Sequence, residues 1–522
     1  MLIMILRTLK FTLHFGISLA LGACHSAGYF RAQQAVENGA SVTTLQLSMR
    51  NGEFNAQQLT QAYLDRIDRY NSSLNAVLET NPQALEIART LDAERNAGTL
   101  HSPLHGIPVL IKDNIDTADQ MQTSAGSLAL LASPKPKRDA QIVSQLRSAG
   151  AIILGKTNLS EWANFRSSNS SSGWSARGGQ THNPYSPELT PCGSSSGSAV
   201  AIAASLATLA IGTETNGSII CPAAHNSIVG LKPTLGLVSQ DGIIPIAHSQ
   251  DTAGPMTGTV ADAATLLSIL AINDNHSQFV SEPGAIAHPN YTQYLSLNAL
   301  DGKRIGVMRQ FFGLVPELDV LMEEQLAILQ NAGAELIDIS IRQSPTFNQA
   351  QLNVLAFEFK HDINRYLSTR GGPVNSLERL IEFNNNHFET EQEFFGQELF
   401  EYAQSKEDLG QSSYLEALEH SQAYSRNALS SVLEEHQLDA LVAPSNSPGW
   451  KINPTGDNTT HYVSSGSLAA AAGFPSITVP AGYIEQAPIG LSFIGGPLSE
   501  PVLIGLAYAY EQISDNRQAP PL

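Results

Sequence analysis

The chain has 522 residues, of which 42% are apolar, and a formal net charge of −19. It can bury a large core and is too long for one small domain. Binding of nucleic acid is argued against, because phosphates need a basic face and no long basic run occurs.

Residues 1–23 read as an export signal. Arg7 and Lys10 form a short positive region, and Phe11 to Leu21 is an apolar run too short for a comfortable membrane span. The run ends in Leu21-Gly22-Ala23-Cys24, which resembles a bacterial lipobox. That resemblance implies lipidation of Cys24, which becomes the first residue of the mature chain. An ordinary signal peptide that contains a cysteine is the alternative. The expected location is the periplasm or cell envelope, with the lipid anchor leaning to the outer membrane. No later stretch is apolar and long enough for a convincing span.

Residues 41 to 97 are helical in character, with Leu45, Leu47, Leu59, Tyr63, Leu64 and Ile67 at helical spacing and Asn51-Gly52 as a break. Ile107 to Ile111 is a short branched run ending in Lys112-Asp113-Asn114, and reads as a buried strand feeding a loop. Ala151 to Gly155 repeats the pattern. Residues 166 to 198 are dense in Ser, Gly, Asn and Pro, and a loop this long is usually functional. Ser198 to Leu206 is apolar nearly all round, as in a core helix. Thr208 to Ile211 is a strand that leads into Gly212-Thr213-Glu214-Thr215-Asn216-Gly217-Ser218. Strands are predicted at Arg304 to Met308 and Glu335 to Ile339, around a helix. Residues 346 to 436 read as an inserted helical cover, and strands return at Leu438 to Val442 and Ile477 to Val479. Alternating buried strands and helices predict an α/β fold with a mixed, mostly covered central sheet flanked by helices.

Cys192 and Cys221 are the other cysteines. Export permits a disulfide, which the sequence does not decide because pairing depends on distance and vector; set against a zinc site, buried free thiols are the expected state. Cys221 and His225 are spaced to share a metal, yet no paired CxxC element accompanies them and no metal site is expected.

Several separated motifs occur in order. Gly106-Ile107-Pro108-Val109-Leu110-Ile111-Lys112-Asp113-Asn114 comes first, then Gly155-Lys156-Thr157-Asn158-Leu159-Ser160-Glu161. Gly193-Ser194-Ser195-Ser196-Gly197, an Ala-rich helix, Gly212 through Ser218 and Gly230-Leu231-Lys232-Pro233-Thr234 follow. Together these resemble the amidase signature family over nearly the whole mature chain, 24–522. The signature core would span about 100–260, with the helical insertion at about 346–436.

The resemblance implies Ser218 as nucleophile, Ser194 as a bridging serine in a cis peptide, and Lys112 as base. It further implies Thr213 as support and the backbone N–H groups of Thr215, Asn216, Gly217 and Ser218 as oxyanion hole. The chemistry is coherent. A serine needs a base, a buried lysine can be neutral, and a glycine lets N–H groups converge on a developing charge. No cofactor is implied. Gly193-x-Ser195-x-Gly197 also fits a nucleophile elbow, but the Pro-containing stretch Ser186 to Pro191 before it cannot be a central strand.

Many relatives carry Arg where this chain reads Ile220, including the subunit that transamidates glutamyl-tRNA. The segments 176–181 and 191–193, Thr213-Glu214-Thr215 and Cys221-Pro222-Ala223-Ala224 look most like bacterial peptide amidases. The expected substrate is therefore a peptide with a C-terminal amide. Amidases of small aliphatic, aryl or fatty-acyl amides, and a catalytically idle binding lipoprotein, are the alternatives. Contact with a membrane would come only through the N-terminal lipid.

Overall fold

Branched apolar runs become strands here because sheet neighbours on both sides and helices on both faces cover them. The computed structural model describes residues 26–271, 290–342, 344–457 and 462–522. The export signal and Cys24 lie outside these residues.

The first strands are β1 (Val77–Thr80), β2 (Pro108–Lys112), β3 (Ile152–Thr157), β4 (Trp174–Ser175), β5 (Gly179–Gln180) and β6 (Leu209–Glu214). Then come β7 (Val229–Lys232), β8 (Thr252–Thr257), β9 (Arg304–Met308), β10 (Glu335–Ile339), β11 (Ala440–Pro444), β12 (Ser476–Ile484) and β13 (Ala487–Ile494). Eleven of them form one sheet in the order β1-β3-β2-β6-β8-β7-β12-β13-β11-β9-β10, and β4 with β5 makes a separate ribbon. β2 runs parallel to both β3 and β6, and β9 runs parallel to β10 and β11. The remaining pairs are antiparallel. The mixed, covered α/β sheet expected from the sequence is what forms.

Two details depart from expectation. The stretch 41–97 is not helical throughout. Asn55 and Gln58 form a capping box that starts the helix Ala56–Leu74, and Asn75 ends it in a left-handed conformation. The chain then turns into β1, whose pairing with β3 overrides local propensity. The core helix spans Ser196–Ala203, beginning earlier than predicted, and every residue in it is buried.

Parallel pairing sets the site. Ile111 of β2 lies opposite Ile211 of β6, so both strands deliver their carboxyl ends to one edge. Lys112 closes β2, and Thr213 and Glu214 close β6.

Residues beyond 346 fold into helices, among them Phe347–Arg370, Leu377–Asn386, Glu398–Gln404 and Tyr424–Glu435. Phe359, Leu380 and Phe400 pack there against Trp162, Phe165 and Ile246 in a second core beside the site. Trp162 meets Phe400 edge-on at 5.7 Å between ring centroids. Burial of each such side chain stabilises by about 2 kcal/mol. Arg166 adds a buried tie. It pairs with Glu161 at 2.7 Å and donates to the Glu391 carbonyl, joining the long loop to the helical cover.

Candidate active site

Lys112 Nζ lies at the end of β2 and is fully buried. It is 2.7 Å from Ser194 Oγ, 2.9 Å from Thr213 Oγ1 and 3.2 Å from the Thr213 carbonyl. Burial pushes the Lys112 amine down to about 7, and the carboxylates of Asp251 and Glu214 pull in the opposite direction. An amine that sheds its proton near neutrality can take one from Ser194 along the 2.7 Å contact.

Ser194 sits in the loop before the core helix, and the Gly193–Ser194 peptide is cis. Gly193 cannot be replaced here, since a Cβ would lie 2.2 Å from Ser160 Oγ. Ser195 is tied in both directions to Thr213. Its hydroxyl donates to the carbonyl at 3.0 Å and accepts from the N–H at 3.1 Å. Buried and fully engaged, it is unfit for the elbow role.

Ser218 lies in the turn after β6 and lines a cavity of about 350 Å³ together with Gly193, Asn216, Gly217, Cys192 and Cys221. The Ser195 N–H donates to the Ser218 carbonyl at 3.1 Å, which brings the two serine segments side by side. Among the described residues the Ser218 hydroxyl makes no hydrogen bond, nor do the N–H groups of Asn216, Gly217 and Ser218. Gly217 has φ +80°, a conformation that side chains resist, and Asn216, Gly217 and Ser218 all line the cavity. Unpaired donors beside a hydroxyl are what a developing oxyanion needs.

Three residues to which the sequence reading gave no role hold this turn. Glu214 Oε2 accepts from the N–H groups of Ile219 and Ile220 at 2.8 and 3.0 Å. Asp251 accepts the Thr215 hydroxyl at 2.5 Å and the N–H groups of Ile246 and Ala247. Burial raises the Asp251 carboxyl to about 7, partly offset by those same donors. Asn114 Nδ2 donates to Thr213 Oγ1 at 3.0 Å. A polar residue next to the lysine motif was the only sequence signal for Asn114. Asp251 reaches Thr215 through the register that places Glu214 opposite Thr252.

The pairing that the sequence left open is present, and the thiols preferred over a zinc site are not free. Cys192 and Cys221 form a disulfide, with Cα atoms 5.9 Å apart. The fold brings the two serine segments together, and the cysteines lie just before Ser194 and just after Ser218. The Cys221 sulfur that spacing had offered to a metal is thereby taken. His225 is buried against the Cys221 carbonyl, and burial lowers it to about 4.

The sequence profile of the family described as Amidase matches residues 58–504. The chain belongs to the amidase signature family. It is an enzyme that hydrolyses amide bonds. A probable amidase of Arabidopsis thaliana is 39% identical over 494 residues, covering 92% of this chain and 91% of the relative. A glutamyl-tRNA(Gln) amidotransferase subunit of Chromohalobacter salexigens is 33% identical, covering 91% and 96%. The crystal structure of the native peptide amidase from Stenotrophomonas maltophilia is similar to this amidase at 48% identity and TM-score 0.85, over 92% of this chain and 98% of that one. A peptide amidase structure with the competitive inhibitor chymostatin has TM-score 0.88 at the same identity, covering 92% and 99%.

Proposed function

We propose that this amidase acts outside the cytoplasm and releases ammonia from the C-terminal amide of peptides through an acyl-enzyme on Ser218. The observation that carries the chemistry is the Lys112–Ser194 hydrogen bond beside the cavity that holds Ser218. Similarity to peptide amidases at 48% identity supports the substrate class.

In this reading the Ser218 proton passes to Ser194 as the Ser194 proton passes to Lys112. The Ser218 oxygen attacks the amide carbon, and the N–H groups of the 215–218 turn hold the oxyanion. The proton returns from Lys112 through Ser194 to the amide nitrogen, and the carbon–nitrogen bond breaks. Ammonia leaves, and water then attacks the ester, giving the free acid and restoring Ser218. The buried Ile220, in place of the arginine expected of a transamidating subunit, fits hydrolysis better than transfer to tRNA.

Both a terminal amide and an internal peptide bond present the same carbonyl, so discrimination rests on leaving-group space. Ammonia needs almost none, whereas a further residue needs a channel. The loop 166–193 and the helices after 346, pinned together by Arg166, close that side by steric exclusion. An amidated tripeptide and its free acid, incubated separately and analysed by mass, test this. The first is expected to give ammonia and the intact free acid, and the second no change. Release of amino acids from both would make the enzyme a general peptidase.

The rate is expected to follow the neutral fraction of Lys112. Protonated below about 7, the amine cannot accept a proton, so kcat/KM should fall about tenfold per pH unit on the acid side and level off above. A flat profile across this range, with chemistry limiting, would remove Lys112 as base.

Export is supported by the N-terminal pattern and by a disulfide, which persists in oxidising compartments. Cys24→Ser is expected to move the enzyme from the membrane to the soluble periplasmic fraction. A wild type already soluble there would mean a plain signal peptide.

A further inference from the structure

A second cavity, of about 690 Å³, adjoins the one that holds Ser218. Ala163, Thr215 and Ile246 line both, so the two spaces share a wall. Its inner wall reaches Asn114, Thr213 and Glu214, next to the Lys112 contacts. Its mouth lies between the segment 135–138 and the helix Phe347–Arg370.

Charge is distributed unevenly around it. The chain carries 48 acidic residues against 29 lysines and arginines, so an average stretch of its surface is negative. The mouth is not. Arg138 pairs with Asp241 and Arg370 with Asp116, and each of these pairs is neutral; His248 meets Asp362 at 2.7 Å, a contact that raises the imidazole's pKa and is neutral when the ring is protonated. Lys137 and Arg365 remain, exposed on opposite elements; among the described residues neither makes a contact ion pair, although Arg365 acts on the Asp241 carboxylate from farther off. Lys135 beside them donates to the Gln120 carbonyl and keeps its charge uncompensated.

The floor has the opposite polarity. Asn114 Oδ1 and Glu214 Oε1 are buried acceptors with no hydrogen-bond partner among the described residues. An occupant therefore meets cations at the mouth and acceptors of N–H groups within. A residue of a peptide that carries a side-chain carboxylate offers that combination, an anion on a flexible stem and backbone N–H donors.

We infer that this cavity is a specificity subsite for an acidic side chain of the substrate, with Lys137 and Arg365 as its recognition residues. The inference rests on the peptide-amide reading of the active site. The cations act by drawing the carboxylate to the mouth while the amide enters the neighbouring cavity. They touch no reacting atom, so they govern which peptide is admitted and leave the chemistry of Ser218 alone. Neutral substrates gain nothing from them, and substrates with a lysine in the same place are repelled.

The test uses three series of peptide amides that differ only in glutamate, glutamine or lysine at one of the two residues before the amidated one. With the wild-type enzyme, kcat/KM for the best glutamate peptide is expected to exceed that of its glutamine counterpart about tenfold, with lysine lower still. Raising the salt should shrink the gap, since these charges face solvent. The double variant Lys137→Glu/Arg365→Glu should invert the order, yet hold the glutamine peptide within about twofold. Arg365→Lys should keep the preference for glutamate. An unchanged order in the double variant, or an equal loss on all three peptides, would overturn the subsite. The two readings fail differently. If the glutamine peptide amide is cleaved with no charge preference, only this inference falls. If no peptide amide is cleaved, the proposed function falls with it.

Discussion

Ser218→Ala is expected to lower kcat by about a millionfold while leaving the fold intact, as measured by ammonia release and circular dichroism. The two halves of that expectation come from one observation. The Ser218 hydroxyl has no hydrogen-bond partner among the described residues, so its removal leaves no buried group unsatisfied. What it removes, in the proposed mechanism, is the nucleophile. Ser194→Ala and Lys112→Ala should be nearly as damaging, because in the proposed mechanism all three residues share one proton path and members of such a unit fail together. Their structural costs differ. Lys112 Nζ makes contacts with Ser194 and with Thr213 in the interior, so Lys112→Ala also leaves a cavity and unpaired acceptors. Lys112→Met keeps the volume and is the cleaner variant. A fluorophosphonate should label Ser218 in the wild type and not in Ser218→Ala. Label recovered on Ser195 would instead return the elbow reading, against a hydroxyl engaged twice with Thr213.

Legibility in the sequence followed locality. β2, β3 and β6 stood out because each is a short, fully buried run of mostly branched residues. β8, with the sequence Thr-Ala-Gly-Pro-Met-Thr, showed no such pattern. Its Gly254 is demanded by the fold, since a Cβ there would lie 2.1 Å from the Leu231 carbonyl. β1 was hidden between helices because four residues carry too little periodicity to outweigh their surroundings. At the site, Lys112, Ser194 and Ser218 were marked by family motifs that each lie within one stretch of chain. Their roles do not follow from composition or spacing. Glu214, Asp251 and Asn114 act through partners that only the sheet register or a tight turn supplies. Asp251 is one example. It precedes β8, and antiparallel pairing of β8 with β6 delivers it to Thr215. The disulfide was illegible for the same reason. Two cysteines 29 residues apart say nothing about Cα separation until the serine segments are brought together.

Breaking that disulfide is expected to weaken the enzyme in two measurable ways. The cross-link closes a loop of sequence separation 29 and so restricts the unfolded chain. Chain entropy assigns such a closure about 3 to 4 kcal/mol of stability. Cys192→Ala/Cys221→Ala should therefore unfold at lower denaturant, by an amount equivalent to about 3 kcal/mol. Alanine is the better replacement than serine, since both sites are buried and a hydroxyl there would need a partner. The second effect is on rate. Both cysteines line the Ser218 cavity, one just before Ser194 and the other just after Ser218. Without the link, the two serine segments are held together by the Ser195–Ser218 backbone bond, the two Ser195–Thr213 hydrogen bonds and the Lys112 contacts with Ser194 and Thr213. A shift of a fraction of an ångström between nucleophile and proton relay lowers kcat by about tenfold or more. KM should change less, because the rest of the cavity is formed by elements the disulfide does not touch. Reductant should reproduce the rate loss in the wild type, after a thiol assay has shown both sulfurs free, and should leave the alanine variant unaffected. Full activity in the reduced wild type would show that packing alone aligns Ser194 with Ser218.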